Sequence, residues 1–257
     1  MNVSIYQKEV FAKYHSNSQI ARVLTERWFE EEMYCPNCLH TEFLRYPNNT
    51  KVKDFRCNNC CNEYQLKAQS RPFYSKVDDG AFEPMIHSIQ LGTTPSFSFM
   101  SYSIKDWIVD HLFVVPKFFF SKSIIEKRKI SYPSGRPTGW TGCNIVLSKL
   151  PELGKIKVID NGTVLSKSTV HKTWKDLSFM EKKNPEGKAW TADVLCCIQK
   201  LTKKEFTLDE MYEFEDYLAE LHPRNYHVKP KIRQQLQILR DSGILKFKER
   251  GIYLLNR

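Results

Sequence analysis

Two Cys-x-x-Cys pairs, Cys35-Pro-Asn-Cys38 and Cys57-Asn-Asn-Cys60, stand 18 residues apart and constrain this chain more than any other feature. Each knuckle lets two thiolates converge on one ion. Together they supply the four soft donors that Zn²⁺ takes tetrahedrally with no position left open. The spacing predicts a four-cysteine zinc ribbon in a structural role, set among short strands and turns between Met33 and Lys67. Buried apolar cysteines, the other reading, do not ordinarily arrive as paired knuckles. His40 and Cys61 lie near enough to be substitute ligands and are read as bystanders, and Cys143, Cys196 and Cys197 as isolated thiols.

With 257 residues the chain is long enough for one large domain, or a large one plus a small one, around a proper core. Hydrophobic residues at 41 % and aromatics at 13 % exclude disordered and collagen-like classes. The most apolar run, His111 to Phe120, is broken by Pro116 and Lys117 and is far short of the roughly 20 residues of a membrane span. The opening MNVSIYQKEVFAKYH lacks the apolar core of a secretory signal, so a cytoplasmic protein is expected, in a compartment that favours metal ligation over disulfides. Lys and Arg (39) exceed Asp and Glu (29) by 10. That excess suits a polyanionic partner or simply a well-solvated basic surface.

Ile20, Val23, Leu24 and Trp28 fall at helical spacing and predict a helix over Ser18–Glu32. Ala81, Phe82, Met85, Ile86 and Ile89 suggest a second helix, followed by strand-like runs at Ser96–Tyr102 and Leu112–Val115, a mixed α/β order. From Glu126 to Asn144 the chain is a basic, glycine- and proline-rich loop carrying Lys129, Arg136 and Trp140. Asn161-Gly162 then closes a hairpin between Lys155–Asp160 and Thr163–Leu165, because Asn-Gly supplies the positive φ angles of a type I′ turn. Lys182 to Lys188 reads as a linker, dividing the chain into domains at 1–183 and 188–257. The second part shows a helix over Thr191–Lys200, another opened by Thr207 and Glu210 in capping-box spacing, a third over Val228–Ser242 ended by Gly243, and a closing hairpin. Three helices and a hairpin make the winged-helix pattern.

Around the second knuckle stand Asp54 and Tyr64-Gln65-Leu66-Lys67. On a strand Gln65 and Lys67 share one face. If Asp54 lies on the partner strand, with Cys57 to Cys60 at the hairpin tip, the three polar groups converge at one edge of the sheet. Oxygen ligands holding Mg²⁺ beside a lysine suit phosphodiester hydrolysis, although Asp and Lys are also ordinary on exposed strands. In the last helix Lys229, Lys231, Arg233, Gln234, Gln235, Gln237 and Arg240 suit phosphate contact and bidentate base readout in a major groove. The same composition describes a solvated helical face.

Asp54-x₁₀-Gln65-x-Lys67 resembles the PD-(D/E)xK nuclease motif, and its overlap with the zinc knuckles is similar to the DpnI-type restriction endonucleases. Ser16-Asn17-Ser18-Gln19, Gly139-Trp140-Thr141-Gly142-Cys143-Asn144 and the run from Ile232 to Asp241 resemble that family too, so the likeness spans nearly the whole chain. The resemblance implies an α/β (α+β) PD-(D/E)xK nuclease domain with an inserted four-cysteine zinc ribbon, plus a C-terminal winged-helix DNA-binding domain. It implies a Mg²⁺-dependent type II restriction endonuclease cutting double-stranded DNA at N6-methyladenine in GATC. Asp54 and Gln65 would hold Mg²⁺, Lys67 would assist the attacking water, and Zn²⁺ on Cys35, Cys38, Cys57 and Cys60 would be structural. The family's middle residue is acidic, whereas Gln65 donates one carbonyl oxygen and no charge. Glu63 by strand parity, or Glu26 on the first helix, could supplement it. Trp140 would wall the methyl group or wedge between bases, with Arg136 on phosphate; a buried structural Trp is the alternative. A monomer in solution is expected. Against the nuclease stand a non-cutting zinc and winged-helix regulator that binds methylated DNA, and an RNA-binding zinc-ribbon protein.

Overall fold

The computed structural model describes residues 1–47, 50, 52–129 and 140–256; Arg136, in the basic loop, lies outside the described residues. Helix α1 (Lys8–Lys13) leads into α2 (Asn17–Glu32), which buries Ile20, Leu24 and Trp28 at the spacing seen in the sequence. Strands β1 (Phe43–Arg45), β2 (Phe55–Cys57) and β3 (Glu63–Gln69) follow as an antiparallel meander. Strand β4 (Lys76–Ala81) and helix α3 (Phe82–Leu91) then carry the chain to β5 (Ser96–Ser103), which lies parallel to β3. Next come β6 (Ile108–Val115), β7 (Ile125–Lys127), β8 (Gly142–Val146), β9 (Ile156–Asp160) and β10 (Thr163–Val164). The main sheet has the order β1-β2-β3-β5-β6-β9-β10, and β4-β8-β7 forms a second, smaller sheet.

Aromatic side chains cover the main sheet on both faces. On one, Phe29 of α2 stacks on Phe55 at 4.6 Å and meets Phe43 and Tyr64. On the other, Phe97 stacks on Phe120 and Phe99 on Phe113. Because β3 and β5 are parallel in register Gln65↔Phe97 and Lys67↔Phe99, the two polar residues of β3 share a face with those phenylalanines. The β9–β10 hairpin turns at Asn161 and Gly162, both with positive φ, as Asn-Gly requires.

After α4 (Lys167–Leu177) the chain forms α5 (Pro185–Lys200), β11 (Glu205–Thr207), α6 (Leu208–Tyr212), α7 (Glu215–Leu221), α8 (Val228–Asp241), β12 (Leu245–Glu249) and β13 (Ile252–Leu255). The last three strands pair as β11-β13-β12, completing helices plus a wing. Four expectations change. The segment read as a basic loop over Glu126–Asn144 is strand at both ends: β7 runs to Lys127, and β8, the central strand of the smaller sheet, begins at Gly142. The segment read as a linker is the start of α5: Asn184 caps it by accepting the Gly187 N–H at 2.8 Å, and Pro185 sits where a helix needs no N–H. The second helix of the wing unit is two, α6 and α7, because a tight turn with the Phe214 N–H on the Met211 carbonyl interrupts it. Helices α1 and α4 were absent from the sequence reading, although Ser166 caps α4 and Val170, Trp174 and Leu177 carry its buried stripe.

Thr207 and Glu210 form the anticipated capping box at the start of α6. Thr207→Ala should therefore cost about 1 kcal/mol, read as a lower urea midpoint at unchanged slope.

Candidate active site and metal centre

The two knuckles are near copies of one another. In each, the residue after the second cysteine, Leu39 or Cys61, takes a left-handed conformation and its N–H returns to the carbonyl of the first cysteine, Cys35 or Cys57. Cys35 and Cys57 then bond back to the carbonyls of His40 and Asn62 at 2.8 and 2.9 Å, closing each loop. The four ligand sulfurs lie within 4.8 Å of one another, with Cys35 and Cys60 3.5 Å apart and Cys38 and Cys57 3.6 Å apart. Tetrahedral Zn–S bonds of about 2.3 Å put sulfurs roughly 3.8 Å apart, so the cluster could hold zinc. Burial pushes the Cys35 thiol up, against the hydrogen bond with Tyr64 and with help from the Cys60 sulfur; Cys38 is lowered to about 6, because hydrogen bonds from the His40 backbone and Asn59 outweigh its burial. His40 faces Glu42, and Cys61 accepts from Arg56, so both stand outside the cluster.

From this cluster the β2–β3 hairpin carries the polar residues. Asp54 ends the hairpin: its N–H reaches the Tyr64 carbonyl at 2.9 Å, and its carboxylate accepts the Leu66 N–H at 2.8 Å. Gln65 and Lys67 meet at a residue the sequence reading missed, Asp79 of β4. Lys67 forms an ion pair with the Asp79 carboxylate, and the Gln65 amide N–H lies 3.4 Å from the same oxygen. The Gln65 carbonyl oxygen is buried with no hydrogen-bond partner among the described residues. Burial raises the Asp54 carboxyl above its ordinary value, opposed by the Leu66 N–H, Lys67 and Arg45 and reinforced by Asp79. Glu26 on α2 pairs with Arg45, and burial raises it as well, with Asp54 contributing to the rise. Glu63 turns to the Tyr46 hydroxyl and Lys53, so strand parity does not bring it to this group.

Arg128 seals the edge. It donates to the Asp78 carboxylate and to the Asp79 carbonyl while lying over Gly142, where any Cβ would run into its guanidinium. Cys143, read as isolated, faces Asp79, and burial with that carboxylate pushes its thiol to about 12. Trp140, at the described end of the loop, is half-buried.

In α8, Arg233, Gln234 and Gln237 are exposed and Lys231 is half-buried over Trp190. Gln235 corrects the sequence reading. It is 1 % exposed and accepts the Thr191 hydroxyl at 2.7 Å, so it cannot reach a base. The helical period explains this, since Gln235 shares the buried stripe of Val228, Ile232 and Leu239.

A mixed α/β protein bearing a four-cysteine cluster and ending in a winged helix is what fold and site define. Family models agree with that class: the DpnI, Dam-replacing family matches residues 1–183, and the DpnI_C, Dam-replacing HTH domain matches residues 186–254. The chain belongs to the DpnI family, as a DpnI-type enzyme with a C-terminal winged-helix domain. Among the described residues no helix is long and apolar enough to cross a membrane.

Two outcomes follow. An ionised Asp54 costs folding free energy because its carboxyl is raised in the fold, so the stability tied to its protonated form is present below 3.8 and lost as pH rises through the raised value. Asp54→Asn should therefore melt higher than the wild type at pH 7, with the gap closing toward pH 3 to 4, in thermal unfolding without added divalent metal. Stripping the cysteine cluster with a strong chelator should release about one zinc per chain and lower the melting midpoint.

Proposed function

We propose that this protein is a Mg²⁺-dependent type II restriction endonuclease that cleaves double-stranded DNA at N6-methyladenine, in the sequence G(m6A)TC, acting as a monomer in solution. Family membership supports a methyl-dependent restriction endonuclease. The observation that carries the reading is the gathering of Gln65 and Lys67 on one face of β3 next to Asp54, at the foot of the cysteine cluster. We read residues 1–183 as a PD-(D/E)xK catalytic domain and 188–257 as the DNA-reading winged helix.

The donors suit Mg²⁺, a hard ion that prefers oxygen: the Asp54 carboxylate and the unpartnered Gln65 carbonyl oxygen would hold it. Bound there, Mg²⁺ would activate water and offset charge on the phosphorus during attack. Asp54 brings negative charge into a partly dry site, where its backbone bond to Leu66 fixes the carboxylate's direction. Lys67 presents an ammonium that can turn from Asp79 to the phosphate or the attacking water. The water oxygen would bond to phosphorus as the bond from phosphorus to the ester oxygen breaks, water giving up a proton to solvent and the departing alkoxide taking one from it. The cysteine cluster, holding Zn²⁺, keeps the hairpin in register.

For reading, Arg233, Gln234 and Gln237 present an exposed face of α8 suited to base edges, with Lys231 beside it on phosphate. An N6-methyl group leaves adenine one exocyclic N–H and adds apolar surface. Trp140, half-buried just ahead of β8, suits the wall of such a pocket, and Arg136 a phosphate contact.

The test is incubation with Mg²⁺ of plasmids differing only in adenine methylation at GATC. Discrete fragments from methylated DNA alone, lost in Lys67→Ala, are expected. Intact methylated DNA, shifted on a gel, would replace the nuclease with a non-cutting methyl-DNA-binding regulator.

A further inference from the structure

Asp79 presents a problem of electrostatics. On β4, Val77 and Asp79 point inward while Lys76 and Asp78 point to solvent, so a carboxylate occupies a position where an apolar side chain would ordinarily sit. It is 8 % exposed, and a buried carboxylate is costly unless it is paired or holds a ligand. The strand is also irregular here: register slips between Asp79 and Ala81 around Gly80, a bulge of the kind that re-aims a side chain. The Asp79 carboxylate reaches Gln65 and Lys67, while its other oxygen lies 3.9 Å from the Cys143 sulfur.

Gln65, in turn, is an amide whose N–H is turned to Asp79 and whose carbonyl oxygen has no partner among the described residues. The other nearby acids are engaged: Glu63 by Tyr46 and Lys53, Glu26 by Arg45. Among the described residues, Asp79 is the acid that meets both Gln65 and Lys67.

We propose that Asp79 is the second carboxylate of the divalent-cation site, supplying from β4 the negative charge that Gln65 does not carry on β3. The inference rests on the nuclease reading above. Asp54, the Gln65 carbonyl and Asp79 then form the oxygen donor set, and Lys67 is its placeholder: the ammonium neutralises Asp79 while no cation is bound and is free for phosphate once one is. Lys67 thus links cation occupancy to the availability of its own charge.

The test measures Ca²⁺ binding to the full-length protein by calorimetry, with a methylated GATC duplex present, since Ca²⁺ reports occupancy without cleavage. Lys67→Met removes the competing ammonium and should tighten Ca²⁺ binding; Lys67→Met combined with Asp79→Asn removes both buried charges together and should weaken it by about tenfold or more relative to Lys67→Met. In the otherwise wild-type chain, Asp79→Asn should depress Ca²⁺ affinity and Mg²⁺-dependent cleavage, and adding Gln65→Glu should restore both by returning the charge to β3. Equal Ca²⁺ affinity with and without Asp79 in the Lys67→Met background overturns the proposal, as does a Gln65→Glu, Asp79→Asn protein that folds yet recovers nothing. If the wild type cuts methylated DNA and Asp79→Asn cuts equally well, this inference alone falls. A wild type that neither binds Ca²⁺ nor cuts overturns the nuclease reading and this inference with it.

Discussion

The Tyr64 hydroxyl lies 3.0 Å from the Cys35 sulfur, and the rest of the site depends on that contact. With zinc bound the sulfur would be a thiolate that can only accept, and the tyrosine would donate; either way the contact ties the start of β3 to the cysteine cluster. Tyr64 points to the α2 face of the strand, and its sequence neighbour Gln65 therefore points to the opposite face; Lys67 follows by period. The cysteine cluster and the polar group lie to either side of one strand. A slip of one residue in β3 would break the Tyr64 bond and turn Gln65 and Lys67 into the aromatic core beneath α2.

Against that fixed strand, the site gathers charge at a cost to the fold. Asp54, Glu26 and Asp79 come together with Lys67 and Arg45 in a region partly closed to water, and burial raises both Asp54 and Glu26. The aromatic layers on both faces of the sheet provide the apolar burial that offsets this arrangement. At Asp54 the folded chain disfavours the ionised carboxylate, the form that the proposed cation would need.

Much of this was legible in the sequence because local patterns dominate it. Paired cysteines, the parity of Gln65 and Lys67, the Asn-Gly turn and the Thr207 capping box are all short-range rules, and the DpnI-family match agrees with the resemblance carried by Asp54, Gln65 and Lys67 beside the knuckles and by the run from Ile232 to Asp241. What escaped depends on long-range placement. Asp79 joins the site through a separate sheet and a bulge, and its signal, an acid at an inward position of Lys-Val-Asp-Asp-Gly-Ala, is weak without knowing which face is inward. Gln235 could have been placed correctly from the helical period of α8 alone, since it shares a stripe with Ile232 and Leu239. Composition obscured it, because a run of Arg and Gln reads as a surface. The start of α5 was hidden by Asn184, Pro185 and Gly187, residues that signal a loop as readily as a capped helix.

That misread segment has a wider meaning. Helix α5 begins where the two family models meet, yet it is fastened to the preceding sheet region along its length: Asp193 receives the Ser123 hydroxyl, the Cys196 thiol donates to the Lys149 carbonyl, and Gln199 accepts the Glu152 N–H. The same helix holds the wing unit through Thr191 to Gln235 and Asp193 to His222. The boundary between the two family matches and the mechanical one therefore do not coincide. A cut at residue 184 would take α5 away from Ser123, Lys149 and Glu152, so the two units share a beam and are not strung on a hinge.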